Sequence, residues 1–346
     1  MTSPFWDKAR HADRKPFLEG RAAILRAVRE WFAREGFTEV EPSMLVASPG
    51  AETHTDAFES DGRYLHTSPE FAMKKLLAAG EEKIVFIGKT WRRGETGPLH
   101  APEFTMLEWY RSGAPYQHVM DDCVELARVA ARETGAAFRW KERACDPFAA
   151  PRRLTVREAM VRYAASPLAG EAPPQAAEGG RTTGRGGASS DEDAKALRPP
   201  SPAPAPQGGW GSEAHDAFSR AIVQIEPRLG SPALTLLTEY PIGEAALAQR
   251  CAHDASVAER FEMYACGVEL ANGFGELTDP AEQRARLIEA MDEKEGRYGA
   301  RWPIDEDFLA ALAHMPPTSG VALGFDRLVM LATGARHIND VLWTPQ

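Results

Sequence analysis

Four cysteines are spread over 346 residues, at positions 123, 145, 251 and 266, and no two form a Cys-x-x-Cys pair. Such spacing excludes a zinc ribbon and a dense disulfide frame, so the four read as reduced thiols of a cytoplasmic protein. No apolar run approaches the roughly 20 residues of a membrane span. The opening Met-Thr-Ser-Pro-Phe-Trp-Asp-Lys lacks the apolar core of a signal peptide. Positive charge is also short. Forty Lys and Arg against 50 Asp and Glu leave a net charge of −10, which excludes a surface that is basic throughout, although a local basic patch stays open. The rest of the composition, 43% apolar and 26% charged, is ordinary for a globular chain long enough to bury a large core.

What the chain does contain is organised around residues 89–111, which read as strand, polar loop, strand. The strands are expected at 84–92 and 103–111. Side chains alternate along a strand, so Phe104, Met106, Glu108 and Tyr110 share one face. A carboxyl and a phenol among large apolar groups suit a pocket that holds a flat ring at one end and a cation at the other. Arg92, where the loop begins, can lay a guanidinium fork against phosphate or carboxylate oxygens.

Around this hairpin the helical spacing of Ile24, Leu25, Val28, Trp31 and Phe32 predicts a helix over 21–35, stopped by Gly36 and followed by a short strand to Pro42. Ser68 is placed as an N-cap with Pro69 at the first helical position and Glu70 in the first turn, where the helix dipole favours an anion. Further helices are expected at 116–133, from the capping box at Thr155, at 212–229 and from Asp279 to about Glu295. Strands are expected at 234–241, at 245–248, and over 260–277 with a turn at Cys266-Gly267. Residues 171–211, rich in Gly, Pro, Ala and Ser, cannot bury enough apolar surface to offset their ordering entropy. They are expected to be a disordered insertion within one domain spanning 1–346.

Trp91-Arg92, the loop, His100 and Pro102-Glu-Phe-Thr-Met-Leu-Glu-Trp-Tyr110 resemble motif 2 of class II aminoacyl-tRNA synthetases of the lysyl branch. The Glu-Trp-Tyr ending is most similar to the truncated paralogues of that branch that lysylate elongation factor P. Helix, Gly36, strand and Pro42 resemble motif 1, which builds the family's dimer interface. Residues 319–334, a small-residue strand feeding a helix, resemble motif 3, with Arg327 as its arginine. The resemblance implies an α+β fold, the class II catalytic domain, with an antiparallel sheet flanked by helices, and a homodimer. It also implies ATP as a substrate and Mg²⁺.

Residue by residue, the resemblance places Ser68, Pro69 and Glu70 at the amino-acid pocket, with Glu70 receiving the substrate's amino group. Glu276, helped by Tyr110, pairs with the ε-ammonium of lysine, Asn272 meets the carboxylate, and Ala322 stands where the tRNA enzymes carry glycine. Arg92 and Arg327 are the catalytic arginines. Arg93, Gly94, Glu95, His100, Ala101, Phe104, Glu269, Leu270 and Gly324 join them around ATP, and Glu262 and Glu269 hold the metal. Spacing alone does not bring Glu262, Glu269 and Glu276 together, because an offset of seven changes strand face unless a turn intervenes. Motif 2 of the lysyl branch usually reads Arg-Asn-Glu. Here Arg92 is followed by Arg93 and Gly94, so the adenine-reading carboxylate is either displaced to Glu95 or missing, and Ala101 replaces a frequent Asn.

With motif 1 starting near residue 20, the chain leaves no room for the N-terminal anticodon-binding barrel of lysyl-tRNA synthetases. The expected activity is therefore activation of lysine or β-lysine and its transfer to a lysine side chain of elongation factor P, with no stable tRNA binding and no membrane. A minimal synthetase charging tRNA and a non-catalytic regulatory module are the alternatives.

Overall fold

The computed structural model describes residues 4–50, 52–164 and 212–345. The insertion expected at 171–211 lies outside them. A nine-stranded sheet forms the centre. Its order is Thr38–Glu39, Lys83–Trp91, Glu103–Ser112, Thr318–Gly324, Val268–Gly275, Asp254–Ala265, Thr235–Pro241 and Arg152–Thr155, with Arg250–Cys251 beside Asp254–Ala265 off this path. The central strands are antiparallel, as the resemblance implies. Only the outermost pair at each end is parallel.

Alternation divides this sheet into two unlike faces. Val85, Leu107, Trp109, Val321, Leu323 and Met263 point one way and form the larger core with the helices Lys8–Arg34, Tyr116–Thr134 and Phe325–Thr333. Ile84, Phe86, Met106 and Tyr110 point the other way, toward the helices Glu70–Ala78 and Glu306–Leu312, and this face is only partly covered. Helix ends follow their local signals. Gly135 and Gly334 take the left-handed conformation as C-caps, and Asp279 caps Pro280–Tyr298 through the amides of Ala281 and Glu282. Cys266 and Gly267 both have positive φ and make the tight turn expected between the strands Asp254–Ala265 and Val268–Gly275.

Three elements differ from the sequence expectation. The first helix runs from Lys8 to Arg34, well ahead of residue 21, because Asp7 accepts from the amides of Ala9 and Arg10. Its first turns are polar, so their burial of Arg14 and Leu18 leaves little periodic signal. Residues 245–248 are not a strand. They follow a short 3₁₀ turn, Ile242–Glu244, with a single bridge from Ala248 to Glu276. The helix at Glu70 has Pro69 as its N-cap position in place of Ser68. Ser68 still accepts the Glu70 amide at 3.1 Å, while its own hydroxyl proton goes to Glu108. All four cysteines are buried and free.

Candidate active site

The partly covered face is the floor of a cleft of about 1900 Å³. Directly opposed strand residues share a face, so Glu108, Ala322, Asn272 and Glu262 form one row across four strands. The odd spacing of the acidic residues is resolved by a bulge. Tyr264 opposes Glu269 and Met263 opposes Ala271, which leaves Leu270 as an extra residue. Glu269, Asn272, Phe274 and Glu276 are thereby brought to the same face as Glu262 and Tyr264. Of the residues singled out by sequence, Ser68, Glu70, Arg92, Glu95, His100, Ala101 and Phe104 line the cleft. So do Glu269, Leu270, Asn272, Ala322, Gly324 and Arg327. Tyr110, Glu262 and Glu276 are buried beneath the lining. Pro69 borders a small neighbouring cavity. Arg93 turns outward to Asp56, and Gly94 sits with positive φ in the loop.

The closed end is acidic. Glu108 accepts from the Ser68 hydroxyl and from the Tyr110 phenol, each at 2.7 Å. Lys74, with a fully buried side chain, stands 2.6 Å from Glu70 and 2.6 Å from Glu276. The second contact is one of charge more than alignment, since neither Glu276 oxygen takes a well-angled hydrogen bond from the described residues. The closed end thus gathers three carboxyl groups and one ammonium, with Glu70 and Glu276 against Lys74 and Glu108 beside them. Burial first, and the neighbouring Glu70 charge second, push Glu108 up to about 8. Glu276 is pushed up to about 8 by burial, against the opposing pull of Lys74, with Glu70 adding to the rise. Burial alone would lower the Lys74 ammonium, but Glu276 and Glu70 hold it above its ordinary range. Asn272 Oδ1, also buried, lacks a hydrogen-bond partner among the described residues.

The open end carries arginines. Arg92 lies 5.5 Å over the Phe104 ring, with Glu52 at 3.6 Å and Glu95 at 3.7 Å. Arg327 donates to the carbonyls of Leu99 and Glu269 and contacts His100 Nε2 at 2.5 Å. Burial, then the Arg327 charge, lowers the pKa of His100, so the ring is neutral and accepts that proton. Arg260 donates to Glu262 at 2.6 Å and lies 4.4 Å over Tyr240, and the Tyr264 phenol also donates to Glu262. Glu269 is pushed up to about 7 by burial and by the charge of Glu262, with Arg327 opposing. Each of the two carboxylates already meets an arginine, Glu262 with Arg260 at 2.6 Å and Glu269 with Arg327 at 3.6 Å. Burial and the charge of Glu262 still raise Glu269, and two neighbouring carboxylates are the donor type that Mg²⁺ takes together with waters and phosphate oxygens. Among the described residues no three His, Cys, Asp or Glu are arranged around a common metal position.

A buried network fixes the floor from below. Arg21 pairs with Asp326 and donates to Thr105 Oγ1 at 2.8 Å, and the Thr105 amide donates to Asp326 Oδ2 at 2.8 Å. The first helix, the second hairpin strand and the helix Phe325–Thr333 are thus pinned beside Arg327. Sequence reasoning missed Lys74, Arg260, Glu52 and Tyr264 in this site. Lys74 could have been found one helical turn after Glu70 on the same face, and Arg260 two residues before Glu262 on the same strand face, whereas Glu52 arrives from a segment with no local signal. Gly320, in the strand Thr318–Gly324 that leads to Arg327, also shapes the site. An added Cβ there would run into the Tyr110 ring and meet Glu276 Oε1 at 2.6 Å, so the glycine makes room at the acidic end.

The profile of class II tRNA synthetases (D, K and N) matches residues 1–346. The chain is similar to the elongation factor P–(R)-β-lysine ligase of Vibrio cholerae serotype O1, with 36% identity over 341 residues covering 95% of this chain and 94% of that one. It is 34% identical to the enzyme of the same name from Yersinia enterocolitica, over 94% and 93% of the two chains. The lysine–tRNA ligase of Magnetococcus marinus is 32% identical over 96% of this chain, but only 64% of that longer protein is covered.

Proposed function

The chain belongs to the class II tRNA synthetase family of the D, K and N enzymes, and from that premise we propose that it is an ATP-dependent ligase for elongation factor P. It activates lysine, or β-lysine, as an adenylate and transfers the acyl group to a lysine side chain of that factor. The observation that carries the reading is the charge layout of the cleft. Glu70, Glu108 and Glu276 share the closed end with a single built-in ammonium, which pairs with Glu70 and Glu276, and Arg92, Arg260 and Arg327 flank the open end. A diammonium ligand satisfies the first, and its carboxylate together with triphosphate satisfies the second.

In the first step a carboxylate oxygen of lysine attacks the α-phosphorus of ATP, and the bond to the bridging oxygen breaks with loss of pyrophosphate. The nucleophile is already ionised at neutral pH and needs no base. Catalysis is then orientation and charge neutralisation. Arg92 takes the α-phosphate and the carboxylate, and Asn272 holds the carboxylate from the floor. Phe104 and Arg327 take the adenine between them, with His100 and Glu95 in the covering loop. Glu262 and Glu269 would hold Mg²⁺, which would supply positive charge against the phosphates. In the second step the ε-amine of the acceptor lysine attacks the acyl carbon. AMP leaves, a proton is lost, and an amide remains.

The protein-acceptor reading draws on likeness, since the chain is 36% identical to the Vibrio elongation factor P ligase and 32% identical to the Magnetococcus tRNA ligase. The net charge of −10 also disfavours a long phosphate-binding track. The reading includes a homodimer through the motif 1 region and work in the cytoplasm, where a translation factor would be met. It is tested with ATP, Mg²⁺ and labelled lysine or β-lysine, supplied with either elongation factor P or bulk tRNA. Label is expected in the factor through an acid-stable bond, and is expected to vanish when the acceptor lysine becomes alanine. Charging of tRNA with no label on the factor overturns the reading in favour of a minimal synthetase.

A further inference from the structure

Among the described residues, Lys74 is the one buried cation at the acidic end. Its side chain is wholly buried, one helical turn after Glu70, and its ammonium lies 2.6 Å from both Glu70 and Glu276. The charged groups facing it are Glu70 on its own helix and Glu276 from the sheet side, with Glu108 and Tyr110 adjoining these two. The helix Glu306–Leu312 presents only the Phe308 ring, 6.0 Å away. We propose that Lys74 is a positioning residue that fixes the charge demand of the pocket. Its ammonium fills the gap between Glu70 and Glu276, so that the three carboxyl groups are completed by two ligand ammonium groups. The proposal rests on the reading of lysine or its isomer as substrate. Without this cation Glu276 would face Glu70 in a site of low polarity, and protonation would compete with ligand binding. Lys74 acts through the two carboxylates and touches no reacting atom.

The test is lysine-dependent pyrophosphate exchange by Lys74→Met between about pH 6 and about pH 9, with melting temperatures on the same samples. The expected result is a rise in KM for lysine on the order of tenfold to hundredfold near neutral pH, with kcat within about threefold of wild type. That KM should fall as pH rises and the carboxyl groups ionise, more steeply than in the wild type. Lys74→Ala should regain lysine affinity with added ethylammonium, which supplies a cation to the emptied slot, but not with ethanol. This arm serves also if Lys74→Met does not fold. A folded Lys74→Met with wild-type lysine KM at every pH overturns the proposal, as does equal rescue by ethanol. Absence of lysine-dependent exchange in the wild type would instead strike the proposed substrate, so the two failures are distinguishable.

Discussion

Glu276 is the residue at which charge and shape are most tightly bound together. It is buried, it meets Lys74 on one side, and on the other it occupies space that is open only because Gly320 has no side chain. Glu276→Gln keeps the shape and removes the charge. Breaking a buried charge pair costs ~3–5 kcal/mol, so lysine-dependent pyrophosphate exchange should fall by orders of magnitude, and unchanged exchange would mean that Glu276 does not face the substrate. The same acidic end sets a pH dependence. Glu108 and Glu276 are raised from 4.5 to about 8, so between those values the folded protein binds more protons than the unfolded chain. Stability of the ligand-free protein should therefore fall as pH rises through that window. Lys74, held above its ordinary 10.5, stays charged there and adds no slope. Melting curves across the window should show this decline, a saturating diammonium ligand should flatten it, and Glu108→Gln should remove part of it. A ligand-free melting temperature that climbs steadily to pH 8 through the action of these groups would contradict the assigned shifts.

Among the elements, the strand Thr318–Gly324 has the least freedom, because its small residues are opposed by large ones. Gly320 opposes Tyr110 and Ala322 opposes Glu108. Gly320→Ala places a methyl where the Tyr110 ring and a Glu276 oxygen already lie. Overpacking of this kind costs about 1–3 kcal/mol, and the displaced groups are the ones that face the substrate. The variant should melt lower and show a higher lysine KM than ATP KM shift, which thermal melting and exchange kinetics would read separately. The hairpin Lys83–Trp91 and Glu103–Ser112 was legible in the sequence because period-two alternation and the loop between them are local signals. The convergence of Glu269, Asn272 and Glu276 was not, since it depends on the extra residue Leu270 in the pairing with Asp254–Ala265. Likewise, the start of the first helix at Lys8 was hidden by polar turns. Its role beneath the site appears only when Arg21 meets Asp326, 305 residues away.

At the scale of the whole molecule, the described residues on either side of the segment 165–211 pack against one another. The turn Met160–Ala164 packs against the helix Ser212–Ile225. Met160, Tyr163, Phe218 and Ile222 surround a buried cluster of Leu154, Ile225, Leu229 and Tyr240. Closing the chain between these ends therefore requires only a bridge. Loop-closure cost grows slowly with length, so shortening a loop about fourfold favours the folded state by about 1 kcal/mol. We expect that replacing residues 171–211 with a short Gly/Ser linker leaves the melting temperature unchanged or slightly raised, and leaves lysine-dependent exchange near wild type. Transfer to elongation factor P should be measured beside exchange on the same variant, because the two steps use different surfaces. A large fall in melting temperature would show that the segment belongs to the folded body, against the composition of its sequence. Intact exchange with lost transfer would place the segment at the acceptor's docking face, and would refute the expectation that it serves only to connect.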